Sequence, residues 1–112
     1  MLRKENRLST PFEFKVTKKY GKKVEGATFF AYIIKAENYL GPSRFGIVVS
    51  KGFSKKAVER NRIKRLFSEA IMKRAALALP NYWISVYPKY SSAQKTYEEI
   101  FADINKNLQE VF

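Results

Sequence analysis

Residues Ala27 to Lys35 read Ala-Thr-Phe-Phe-Ala-Tyr-Ile-Ile-Lys, an unbroken run of aromatic, β-branched and small apolar side chains. Such a run favours a strand. Alternation puts Phe29, Ala31 and Ile33 on one face and Phe30, Tyr32 and Ile34 on the other. Both faces are apolar, yet 112 residues make one domain with a single core. One face is surplus to that core, and a surplus aromatic face is a candidate binding platform.

The flanking segments supply the partners of this strand. Thr10-Pro11-Phe12-Glu13 is a helix start: Thr10 caps, Pro11 suits the first position and Glu13 completes a capping box. That helix should run to about Tyr20 and stop at Gly21. A turn region at Asn38–Pro42 precedes a second strand, Arg44 to Lys51, expected as an antiparallel partner of the first. Ser54 is placed to cap a helix from about Lys55 to Leu79, with Ile63, Leu66, Phe67, Ala70 and Leu77 on one side. Pro80-Asn81 ends it, and Tyr82 to Tyr87 form a third strand whose Tyr82, Trp83 and Tyr87 read as sheet packing. Thr96-x-x-Glu99 starts a last helix with the stripe Tyr97, Ile100, Phe101, Ile104, Leu108 and Val111. Glu98, Glu99 and Asp103 read as acids complementing its N-terminal dipole. The pattern is an α/β (α+β, two-layer) sandwich: one sheet, helices mainly on one face and the other face open. With no repeat and no linker, residues 1–112 read as a single domain.

Composition narrows the function. There are 22 Lys and Arg against 10 Asp and Glu, a net charge of +12. Residues 1–80 carry a balance of +13 and residues 81–112 one of −1. A folded domain that tolerates this self-repulsion points to a polyanionic partner. The chain has no His and no Cys. Thiolate nucleophiles, His-based general bases and Cys or His metal sites are therefore excluded. No stretch approaches a membrane span, and Met1–Arg7 is not followed by an apolar run, so a cytoplasmic protein without a membrane partner is expected.

The charge concentrates between Lys51 and Arg65. Lys51, Lys55, Lys56, Arg60, Arg62, Lys64 and Arg65 face Glu59 alone. One reading is a solvated helix face; the other is nucleic-acid contact. The second is favoured because i,i+4 acids are scarce, Arg suits phosphate, and Asn61 is a poor mid-helix residue that implies a specific hydrogen bond. At helical spacing, Arg62 and Arg65 point away from the apolar stripe, with Asn61 alongside, while Arg60 and Lys64 lie nearer one flank.

Arg60-Asn61-Arg62, within Lys56-Ala57-Val58 and Ile63-Lys64-Arg65-Leu66, resembles the RNR motif of the bacterial ribonuclease P protein subunit. Asn6-Arg7-Leu8, Phe14, Gly21, Phe29-Phe30-Ala31-Tyr32 and Arg44-Phe45-Gly46-Ile47-Val48-Val49-Ser50-Lys51 extend the resemblance along the chain. It implies a sheet of about four strands in the order α-β-β-β-α-β-α, with a left-handed crossover through the RNR helix. It implies a protein that assists a catalytic RNA in removing the 5′ leader of precursor tRNA. The active site and its Mg²⁺ would belong to the RNA, so no residue of this chain is expected to be catalytic or to bind metal tightly. By position, Lys51, Lys55, Lys56, Arg60, Asn61, Arg62, Lys64 and Arg65 would contact the catalytic RNA. Phe14, Lys18, Phe30 and Tyr32 would line a leader cleft between the first helix and the open sheet face. The alternative for these aromatics is that the first helix covers Phe30 and Tyr32 and that Phe14 is core.

The implied partners are the catalytic RNA and precursor tRNA, with no obligate protein partner. Arg3, Lys4 and Arg7 would be loose until RNA binds. Two departures stand out. Thr17 and Lys18 replace a second cleft aromatic, shifting the grip toward charge, and Gly52 replaces a second lysine after Ser50-Lys51. A plain RNA-binding protein such as a ribosomal protein is the competing reading. An autonomous nuclease is disfavoured by the scattered acids.

Overall fold

The computed structural model describes residues 4–36, 41–75 and 78–112. The expectations for Arg3, Asn38–Leu40 and Leu77 fall outside them. The elements are α1 (Pro11–Tyr20), β1 (Lys22–Glu25), β2 (Phe29–Lys35), β3 (Arg44–Ile47), α2 (Ala57–Ala75), β4 (Tyr82–Pro88) and α3 (Tyr97–Asn107). They form one four-stranded mixed sheet in the order β1-β2-β4-β3.

The sheet corrects one pairing. β3 is not the partner of β2; β4 lies between them, antiparallel to β2 and parallel to β3. The reason is burial. Ile84, Ser85 and Val86 of β4 are fully buried, so this strand takes the centre. Parallel pairing of β3 with β4 needs a long connection, which α2 provides. β1 is the strand that hydrophobic pattern alone does not locate. It is short and mostly exposed, and its register sets Lys23 opposite Tyr32 and Glu25 opposite Phe30.

The core lies between the sheet and α2 with α3. Phe29, Phe45, Phe67, Ile63, Ile71, Ile84, Ile100 and Ile104 are all essentially inaccessible. Phe29 meets Phe67 edge-on, ring centroids 6.0 Å apart. Two turn details differ from expectation. α2 begins at Ala57, and Ser54 Oγ accepts instead from the Lys56 N–H at 3.1 Å, turning the chain just ahead of the helix. Asp103 does not serve the dipole of α3. Its carboxylate accepts from the Ala27 and Thr28 N–H groups at 3.1 and 2.8 Å, pinning the β1–β2 turn to the helix layer.

α1 lies on the other face. Thr10 Oγ1 accepts from the Glu13 N–H at 3.2 Å, while Glu13 Oε1 accepts from the Thr10 N–H at 3.0 Å, so the capping box forms in full. Phe14 sits over Gly46 of β3; a Cβ there would lie 2.3 Å from its ring. Gly21 ends the helix at φ −79°, outside the left-handed region. Glycine is needed there because a Cβ would stand 2.3 Å from the Thr17 carbonyl oxygen. The N-terminal arm is docked from Lys4 onward: Lys4–Asn6 form a 3-10 turn, Arg7 pairs with Phe45, and the Leu8 N–H donates to the Phe45 carbonyl at 3.0 Å.

Candidate nucleic-acid interface

The sheet face that α1 shares is only partly covered. One row across it reads Lys23, Tyr32, Ser85, Gly46 and the next reads Glu25, Phe30, Tyr87. Phe14 takes the Gly46 end of the first row. Tyr32 lies two strands away, about 10 Å at the usual strand spacing. Phe14, Phe30, Tyr32 and Tyr87 are all half-buried. α1 therefore neither hides the platform nor leaves Phe14 in the core. Lys18 is exposed one turn after Phe14.

The aromatics beyond α1 form one cluster. Phe30 and Tyr87 stack at 5.0 Å with planes 7° apart, and Tyr32 meets both edge-on at 6.1 and 5.8 Å. Lys23 Nζ lies 4.9 Å from the Phe30 ring centroid, a cation–π contact at the rim. The only acid of that row is neutralised locally: the Lys89 ammonium hydrogen-bonds Glu25 at 2.8 Å and holds its carboxyl below the ordinary range. The platform thus presents π-faces and positive charge together. Tyr87 belongs to it as much as Tyr32 does. Strand pattern assigned Tyr87 to packing because its stacking on Phe30 depends on the β2–β4 register.

The basic segment divides by direction. Lys51, Lys55, Lys56, Asn61, Arg62, Lys64 and Arg65 are exposed. Arg60 turns inward, half-buried, and its Nη1 donates to the Ser54 carbonyl at 2.8 Å. Arg62 Nη1 reaches the Ala93 carbonyl at 3.2 Å. The first arginine of the motif thus braces the loop that enters α2, while Asn61, Lys64 and Arg65 face solvent. Phe53 is buried and anchors that loop, tilted against Tyr90 at 5.5 Å. A groove of about 400 Å³ is lined both by Phe30 and Tyr87 and by Ser50, Gly52 and Phe53 of the loop that leads toward α2.

Among the described residues, no three acidic side chains gather to hold a metal ion. Nor is any helix among them long and apolar enough to cross a membrane.

Residues 2–111 match the family model described as Ribonuclease P. The chain belongs to the ribonuclease P protein family. Members are protein subunits of a tRNA-processing ribonucleoprotein. The chain is 30% identical to the ribonuclease P protein component of Clostridium novyi, covering 96% of this chain and 95% of that one. It is 32% identical to that of an Exiguobacterium species, covering 99% and 90%. The Staphylococcus aureus RNase P protein superposes with a TM-score of 0.82 at 26% identity, covering 95% of this chain and 94% of that one. Full-length coverage places the RNR helix and the aromatic face of this ribonuclease P protein within the matched region.

Proposed function

We propose that this ribonuclease P protein grips two RNAs at once. The exposed residues of the basic segment (Lys51, Lys55, Lys56, Asn61, Arg62, Lys64 and Arg65) bind the catalytic RNA, with Arg60 bracing the segment from within. The sheet face holds the single-stranded 5′ leader of precursor tRNA: Phe14, Phe30, Tyr32 and Tyr87 offer stacking, and Lys18 and Lys23 offer charge. Stacking beside cations suits a leader of any sequence, since every base has a π-face. Hydrolysis of the phosphodiester belongs to the catalytic RNA with its Mg²⁺. The sequence has no His and no Cys, and among the described residues no three acidic side chains gather, which supports a part in binding and alignment.

The observation that carries this reading is the groove shared by the Phe30–Tyr87 stack and the loop entering the basic helix. The aromatic stack beside the loop that leads into the basic helix supports a leader running from one to the other. The test is reconstitution with a bacterial ribonuclease P RNA and precursor tRNA at low Mg²⁺. Leader cleavage that needs both components supports the proposal. Failure to rescue cleavage points to a plain RNA-binding protein, and cleavage by the protein alone to an autonomous nuclease.

A further inference from the structure

The two faces of the sheet are covered in different ways. α2 buries Ile63, Phe67, Ala70 and Ile71, and α3 buries Ile100 and Ile104. The buried residues of α1 are Glu13 and Thr17, both polar. Among the described residues, α1 contributes no side chain to the hydrophobic core. A ten-residue helix is marginal by itself and docks through the apolar area it removes from water, so α1 is the least firmly held of the three.

The sheet beneath α1 points the same way. Ser85 is the register partner of Tyr32 on one side and of Gly46 on the other, so its side chain shares the face that α1 covers. Ser85 is fully buried, and its Oγ has no hydrogen-bond partner among the described residues. A buried, unpaired hydroxyl destabilises the closed arrangement, and exposure to water removes that cost. The fully buried Thr17 hydroxyl donates within its own helix, to the Glu13 carbonyl at 2.7 Å. Two contacts to β3 fasten α1: the Glu13–Arg44 ion pair and the Phe14 ring over Gly46. Breaking them leaves the core whole, because Phe29, Ala31, Ile33, Ile84 and Val86 lie on the opposite face of the sheet.

We propose that α1 is a lid, which lifts from the sheet while the core stays folded and uncovers Ser85 and Gly46 beside Tyr32. It turns where Gly21 passes directly into β1. The platform then widens from β2 and β4 to β3 along one row, and the Ser85 hydroxyl is free to pair with what enters. α1 closes again over the occupant. Taking that occupant to be a single RNA strand rests on the leader reading above; the motion itself does not.

The test is native-state hydrogen exchange of the full chain over a series of low urea concentrations. The α1 amides should exchange through an opening with a smaller urea dependence than those of β4 and α2, because less surface is exposed. Ile100→Val, in the core on the far face, should speed exchange of the core amides several-fold and leave α1 unchanged. Ser85→Ala removes the unpaired hydroxyl and should slow α1 exchange several-fold. The urea series on the parent decides where a variant does not fold. Equal urea dependence for α1 and the core, or equal acceleration of both in Ile100→Val, would mean that α1 opens only when the whole chain unfolds, and would overturn the proposal. So would α1 exchange that ignores Ser85→Ala, the mark of a helix fraying in place. An oligoribonucleotide of leader sequence should slow α1 exchange further. Opening with the core intact but without that response would support the lid and count against the leader reading alone.

Discussion

Glu13 Oε2 accepts a hydrogen bond from Arg44 Nη1 at 3.0 Å, an ion pair that ties the first turn of α1 to β3. The same carboxylate takes the Ser9 and Thr10 N–H groups on its other oxygen. Burial by itself would raise its pKa, but the Ser9 and Thr10 hydrogen bonds and the Arg44 charge outweigh that and leave it below the ordinary 4.5. One side chain thus caps the helix and fixes its place on the sheet.

The pH dependence follows from that depressed value. A carboxyl whose folded pKa is lowered stabilises fully above its unfolded value, and the gain is lost as pH falls through the folded one. Glu13→Gln should therefore be less stable than the parent by a constant amount above pH 4.5, with the gap closing at lower pH. At neutral pH, Glu13→Ala should cost about 1–3 kcal/mol for the lost cap and charged hydrogen bonds. Thermal melts across pH check both, and a gap that widens in acid would contradict the pair.

Gly46 is where α1 meets the sheet. A Cβ at this position lies 2.3 Å from the Phe14 ring, so Gly46→Ala must push Phe14 and its helix outward. The expected loss is about 1–3 kcal/mol. Chemical denaturation measures it, and the double variant Gly46→Ala, Phe14→Ala should recover part of it. An unchanged midpoint for Gly46→Ala would show that α1 does not pack closely there.

The two directions within the basic segment predict two kinds of defect. Lys64→Ala and Arg65→Ala remove exposed charges, so each should reduce the salt slope of catalytic-RNA binding by about 1. Arg62→Ala should weaken that binding by about 1–3 kcal/mol. Arg60→Ala should lower thermal stability as well, because its guanidinium braces the Ser54 carbonyl. Equal melting temperatures for Arg60→Ala and Arg65→Ala would contradict the inward role.

Local chemistry made much of this fold legible. The Thr10–Glu13 box, the Ile63–Phe67–Ala70 stripe and the two apolar faces of β2 each declare themselves within a few residues. β1 did not, because Lys22, Lys23 and Glu25 are exposed and its turn is held by Asp103, 75 residues beyond Thr28. Sequence proximity points to β3 beside β2, whereas the buried Ile84–Val86 centre sets β4 between them. In the candidate site, residue type and spacing mark the basic Lys51–Arg65 segment and the surplus aromatic face with Phe30 and Tyr32, while the RNR motif rests on the resemblance. Tyr87 and the inward turn of Arg60 depend on register and on a loop carbonyl, neither of which a periodicity records.

The leader platform is tested most directly by one ratio, the affinity of the reconstituted ribonucleoprotein for precursor tRNA over that for mature tRNA. Parent protein should bind the precursor more tightly. Tyr32→Ala and Tyr87→Ala should each cost about 1–3 kcal/mol of precursor affinity, the usual worth of a stacked base, and leave mature tRNA binding unchanged, so the ratio falls toward one. Equal loss for both RNAs, or a ratio that does not move, would contradict a leader held on this face.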